Sequence, residues 1–320
     1  MLKHAVGKYL SEAVINDNIP AYIRPFSSRD FFRTKKILGI PNLKVELLDI
    51  RSIIKEHEDH ITEMKKYYGP NNKVIHIRLE DPRREYYFSH QPPEHGVDIV
   101  FPPRYDRDLF FIAPFYHQHL PHLRQIIVVD LDIELRCSLS ELSAQFDEFS
   151  DDQAMSIAAN QSPYYYLATT AYRALNPDTK VGQPGKYQGL NTGVVLMDLE
   201  KMRQSDFYNK ETKLESMVAL HKSFLPSSDW GLGDQEWLTL LGWRNPSFIR
   251  QLPCQFNRQV TNTKGRERWM EYFSCKEKIK IMHLTPLWWL MFNIYWSALT
   301  ETQNPMKYKS KLWRDYFFSQ

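Results

Sequence analysis

The chain has 320 residues, 42% of them apolar and 25% charged, which is the balance of a globular protein and excludes a disordered one. That length suits one large α/β domain or two ordinary ones. A formal net charge of +3 is too small to argue for nucleic acid, and three cysteines, an odd number, do not build a disulfide scaffold.

Residues 1–50 predict helix, strand, helix and strand over MLKHAVGKYL, EAVIND, SSRDFFRTKKILG and LKVELLDI, with Ser27 or Ser28 as an N-cap and Gly39 as a C-cap. This alternation argues for a parallel sheet. The opening carries Lys3 and no long apolar core, so it is not a signal peptide. Residues 51–68 predict a polar helix, and 69–104, with Pro70, Pro82, Pro92, Pro93, Pro102 and Pro103, an irregular stretch. A helix interrupted at Pro114 is expected over 108–120.

Next comes RQIIVVDLD, a strand that is β-branched on both faces and therefore central. SLSELSAQFDEF predicts a helix with Ser138 and Glu141 as a capping box, QAMSIAAN a strand, and 161–188 a Tyr-rich loop. Asn160-Gln161-Ser162 fits an N-glycosylation acceptor, weakened by Pro163. In 189–208 the pattern is a Gly-bounded turn, a buried strand VVLMDL and a short helix. LGDQEWLTLLGW opens a helix at Asp234, for which N-capping is the plain structural role. FIRQLPCQFN and KIKIMHL are late strands. LTPLWWLMFNIYWSAL, residues 284–299, is apolar but short, with Pro286 and Asn293, and reads as a buried or interfacial segment.

Asp130 and Asp132 end the central strand two residues apart. On a strand they share a face, and two ionised carboxylates so close repel each other. A divalent cation, Mg²⁺ or Mn²⁺, is the usual remedy at the end of a buried strand. Two solvated aspartates at a strand end are the plainer alternative.

Four features fall in one order: Asp130-Leu131-Asp132, GLNTGVVLMDL (189–199), LGDQEW (232–237), and LPCQFNRQ (252–259) followed by KIKIMH ending at His283. Together, over roughly residues 100–283, they resemble family 8 glycosyltransferases, and within them the xyloside α-1,3-xylosyltransferase branch. The resemblance implies a GT-A fold, an α/β architecture whose mixed, mostly parallel central sheet is flanked by helices. It implies one catalytic domain over residues 1–283 and an aromatic tail over 284–320.

It also implies roles by position. Asp130, Asp132 and His283 would ligate Mn²⁺, which two carboxylates and an imidazole suit better than Mg²⁺. The ion would clamp the diphosphate of a UDP-sugar donor lying against Asp130, Leu131, Asp132, Leu232 and Gly233. Asn191 would bind donor sugar or acceptor, Asp234 sugar hydroxyls, and Gln235 would lie on the anomeric face opposite UDP. The reaction would retain configuration and move xylose from UDP-xylose, α-1,3 linked, onto a xylosylated O-glucose glycan of an EGF-like repeat such as those of Notch. Cys254 and Cys275 would pair, in the lumen of the endoplasmic reticulum or Golgi, with Cys137 a buried free thiol. The full-length protein would be held at the membrane by an N-terminal anchor.

Three departures stand out. The family's opening strand is missing from the pattern, as is the anchor. His283-Leu284-Thr285-Pro286 stands where the branch has His-Gly-Asn, and a tryptophan pair is replaced around Asn262 and Thr263. An inactive relative that binds glycoprotein or membrane is one alternative, and a family 8 transferase with another UDP-sugar a second. A phosphatase using Asp-x-Asp is a third, opposed by Glu134 and the mid-chain position.

Overall fold

The computed structural model describes residues 21–23, 50–69, 74–77, 97–100, 108–130, 133–185, 187–225, 231–260 and 269–284. The helices and strands expected before residue 50, the tail from 285, Leu131 and Asp132 lie outside them.

The first strand, β1 (Ala21–Ile23), falls in a stretch whose pattern suggested no element. Helices α1 (Ile50–Glu56) and α2 (Glu58–Tyr68) divide the predicted polar helix at His57. Ile50, expected to end a strand, instead opens α1. Ile61, Met64 and Tyr68 form the buried stripe of α2 at helical spacing. The Pro-rich stretch is not wholly irregular: β2 (Val74–Ile77) and β3 (Val97–Val100) pair antiparallel, because both are β-branched runs clear of the prolines. Two 3₁₀ turns around Pro114 and α3 (Tyr116–His119) form the interrupted helix.

β4 (Gln125–Val129) follows, then β5 (Ile133–Leu135) and α4 (Leu139–Ser143), which opens on the expected Ser138–Glu141 capping box. After β6 (Met155–Ala159) the Tyr-rich segment folds into α5 (Tyr164–Ala168) and α6 (Thr170–Leu175), where a loop was expected. These helices are too short to display a helical period in the sequence. β7 (Leu190–Asp198) runs through the whole of LNTGVVLMD, so Gly193 lies in a strand and not in a turn. Asp198 caps α7 (Leu199–Gln204) and Ser205 caps α8 (Asp206–Glu211). The rest is α9 (Leu214–Phe224), α10 (Asp234–Arg244), β8 (Ile249–Leu252), β9 (Arg258–Gln259), α11 (Met270–Phe273) and β10 (Ile281–His283).

The central sheet has five strands in the order β1-β4-β7-β6-β8. It is mixed: β1 and β8 run parallel to their neighbours, whereas β7 runs antiparallel to both β4 and β6. A second sheet has the order β5-β10-β9. β4, in the first sheet, ends at Val129 and β5, in the second, begins at Ile133, so Asp130 lies just past the strand it was expected to end.

Residues 126–129 of β4 and 194–197 of β7 alternate between two cores, as a pleated strand must. Ile126, Val128, Val195 and Met197 face a layer that includes Met64, Tyr68, Tyr208, Leu220 and Trp237. Ile127, Val129, Val194 and Leu196 face Leu139, Leu142, Phe146, Phe256 and Ile281. Each such side chain contributes about 1.5–3 kcal/mol of burial, which is why the buried residues of β4, Ile126–Val129, are all apolar.

Candidate active site

The site forms where β7 loses its pairing with β6. Ile157 is opposite Val195 but Ala158 is opposite Asn191, so residues 192–194 bulge from the β6 ladder. A bulge frees backbone groups and re-aims side chains. Here the freed Thr192 N–H donates to Gln235 Oε1 at 3.3 Å. On the other edge Gly193 C=O accepts the Asp130 N–H at 2.9 Å. Consecutive residues of β7 thus hold Asp130 and Gln235, about one strand residue apart.

His283, at the end of β10, is 4% exposed. Its Nδ1 lies 3.0 Å from Asn191 Oδ1 and 3.1 Å from Asn257 Oδ1. Both oxygens are acceptors here, since Asn257 Nδ2 donates to Asn191 Oδ1 and to Asn191 C=O, and Gly193 N–H donates to Asn191 Oδ1. Nδ1 therefore carries the proton, which leaves the lone pair on Nε2. Nε2 faces Asp130 Oδ2 at 3.7 Å. That is too long for a hydrogen bond and leaves room for an ion about 2 Å from each atom. A lone pair turned toward a carboxylate oxygen repels it unless a cation stands between them. With Nδ1 fixed by two amides, this is the arrangement of a metal-ligating histidine. The residues present fit a divalent ion.

Gly193 makes this possible. A Cβ there would stand 2.2 Å from both Cε1 and Nδ1 of His283. The glycine that looked like a turn residue is a strand residue under an imidazole ring.

Gln235 is held at both ends of its amide, since Nε2 donates to Tyr165 Oη at 3.4 Å. Tyr165 packs where a side chain on Gly189 would be. Asp234 is 2% exposed and begins α10, but it is not the cap: that position is Gly233, at φ +66°, whose N–H donates to Tyr68 C=O at 2.8 Å. Leu232 precedes it, half-buried. Asp130, His283, Asn191 and Gln235 are thus gathered around one bulge of β7, with Asp234 beside Gln235 in the first turn of α10, while Leu131 and Asp132 are outside the described residues. Asn257, Thr192 and Tyr165 gained no role from the sequence, although Asn257 lies in the LPCQFNRQ motif that marked the region.

Cys254 and Cys275 are bonded, as the resemblance implied. Cys137 is half-buried, and burial pushes its thiol up to about 11, so it is a poor nucleophile. Asn160 is 6% exposed and accepts from Ser162 Oγ, so the folded chain does not offer it for glycosylation.

No family model matches the chain. Over 186 residues it is 32% identical to human xyloside xylosyltransferase 1, a match covering 56% of this chain and 47% of that protein. The chain is homologous to xyloside xylosyltransferase 1. The kinship with family 8 glycosyltransferases read from the motifs therefore holds. The match spans about half of that relative's length. Human xylosyl- and glucuronyltransferase LARGE2 is 29% identical over 163 residues, covering 50% of this chain and 20% of that protein. The crystal structure of mouse xyloside xylosyltransferase 1 in its apo form superposes with a TM-score of 0.67 at 24% identity, covering 89% of this chain and 92% of that one. The fold is the GT-A fold of the xyloside xylosyltransferases.

Proposed function

We propose that the chain is a retaining glycosyltransferase that moves xylose from UDP-xylose, with α-1,3 linkage, onto a xylosylated O-glucose glycan carried by an EGF-like repeat. The observation that carries this reading is His283 Nε2 facing Asp130 Oδ2 at 3.7 Å while Nδ1 is held by Asn191 and Asn257. Homology to xyloside xylosyltransferase 1 supports the transfer of xylose to a xyloside.

Asp130, Asp132 and His283 would hold Mn²⁺, two carboxylates and an imidazole matching it better than Mg²⁺. When bound, the ion would neutralise charge that gathers on UDP as the sugar bond breaks. Leu131, Leu232 and Gly233 bring backbone to the donor. Asn191 Oδ1 is engaged by His283, Gly193 and Asn257, so its amide nitrogen is the group that meets a sugar. Asp234 accepts from sugar hydroxyls. Gln235, anchored at Thr192 and Tyr165, presents an amide on the face opposite UDP. An amide is a poor nucleophile, so retention proceeds on the front face, with the acceptor's proton passing to a diphosphate oxygen. The disulfide suits an oxidising lumen of the endoplasmic reticulum or Golgi. Among the described residues, no helix is long and apolar enough to cross a membrane, and the membrane anchor is proposed for the full-length protein.

The test is calorimetry of UDP-xylose with and without Mn²⁺, on the wild type and on His283→Ala. The expected result is metal-dependent binding that the variant loses. A well-folded wild type that binds no donor would overturn the reading and favour an inactive relative.

A further inference from the structure

A second group of metal-binding side chains lies apart from this site. His57 stands at the break between α1 and α2, and His119 ends α3. Their Nε2 atoms are 2.8 Å apart. With Glu56 they form a set whose ligand atoms all lie within 4.8 Å of one another. His57 is 8% exposed, and its ring is stacked on Phe115 at 3.7 Å and 8°. The ring cannot swing away without losing that stack. His119 meets it edge-on, at 88°, which is how two imidazoles converge on one point from different directions.

Two imidazole nitrogens this close share one proton, N–H···N, when no ion is present. An ion with nitrogen ligands at about 2.0–2.1 Å replaces that proton after a parting of roughly half an ångström. Two imidazoles, which are borderline ligands, outnumber the one hard carboxylate. They favour Zn²⁺, Ni²⁺ or Cu²⁺ over the harder ions suited to the carboxylate-rich site at Asp130.

We propose that Glu56, His57 and His119 form a second divalent-metal site, of zinc type, that clips the α1–α2 junction to the end of α3. The clip stiffens α2, whose last residue, Tyr68, holds Gly233 at the donor site. The site is structural, since all its protein ligands come from elements that carry none of the proposed donor contacts.

The test is zinc titration of the chelator-treated full chain against a chromophoric competitor, for the wild type, Asp130→Asn and His119→Gln. Asp130→Asn should keep a zinc site that His119→Gln weakens by at least about tenfold. Cobalt should give the visible spectrum of a four-coordinate nitrogen–oxygen site in Asp130→Asn and not in His119→Gln. Equal zinc affinity in Asp130→Asn with and without the His119→Gln change, or no zinc bound by Asp130→Asn, overturns the proposal. Should His119→Gln fail to fold, Glu56→Gln alters only an exposed side chain. It should weaken zinc while leaving circular dichroism unchanged, and undiminished zinc affinity there overturns the proposal too. UDP-xylose binding by the wild type is measured separately, so failure of this site and failure of the transferase reading are distinguishable.

Discussion

Glu236 Oε1 lies 3.6 Å from His221 Nε2 in the core between α10 and α9, and neither carboxylate oxygen of Glu236 has a hydrogen-bond partner there. Glu236 immediately follows Gln235, so the first turn of α10 offers an amide to the site and an acid to the core. Burial pushes the Glu236 carboxyl well above the ordinary carboxylate range and His221 down to about 4. Burial thus favours the neutral form of each.

A pH optimum of stability follows. In the unfolded chain Glu236 ionises near its ordinary value, so above that pH the native state binds the extra proton and stability falls as pH rises. Burial also lowers His117 to about 4 and lowers His57. For the histidines the unfolded chain binds the extra proton below about 6.5, so stability is full above that pH and falls toward 4. Buried His117 and His221 would each cost roughly 3 kcal/mol over that window. Urea midpoints should be highest near pH 6.5 and lower at 4.5 and 8.5. In Glu236→Gln the decline from 6.5 to 8.5 should shrink. A wild-type midpoint that climbs steadily to pH 8.5 contradicts this assignment.

Gly193→Ala should displace His283, because its Cβ would sit 2.2 Å from the ring. Overpacking of this kind costs about 1–3 kcal/mol. Metal-dependent UDP binding should fall at least about tenfold while the fold survives. Calorimetry beside thermal unfolding separates the two effects. Unchanged UDP affinity would mean that His283 is not a ligand.

Gln235→Ala should leave UDP affinity nearly unchanged and lower the turnover of UDP-xylose by on the order of a hundredfold, as expected for a lost polar group at a developing charge. The Thr192 N–H also loses its partner, a further cost of about 1–3 kcal/mol in stability. Steady-state kinetics with the donor varied gives the split between KM and kcat. A rise in KM alone would make Gln235 a binding residue only.

Replacing Cys254 and Cys275 together by serine opens a crosslink with a sequence separation of 21. The expected loss is roughly 3 kcal/mol. Denaturant titration of the double variant measures it, and a loss under 1 kcal/mol would place the constraint elsewhere.

Local pattern was legible in the sequence. The β-branched run at 126–129 and the short stretches around Ile157 and Ile281 became strands, Ser138 and Glu141 became a cap, and α10 begins at Asp234. Each rests on neighbours within a few residues, where period and capping chemistry act. The aromatic run around Tyr165 gave no such signal, because five- and six-residue helices make less than two turns.

The sequence by itself determined which residues are acidic, buried or β-branched, and it lined up the motifs that mark a family 8 resemblance. Only the tertiary structure decided that the LNTG segment is a bulged strand, that Gly193 is the space a histidine ring needs, and that Asn191 holds that ring from another sheet. Asn191 and His283 are separated by 92 positions, and Asn191 and Asn257 by 66. No local period couples residues that far apart. Their contact is set by which strands pair and in what register, and a shift of one residue would turn every side chain of β7 to the other face.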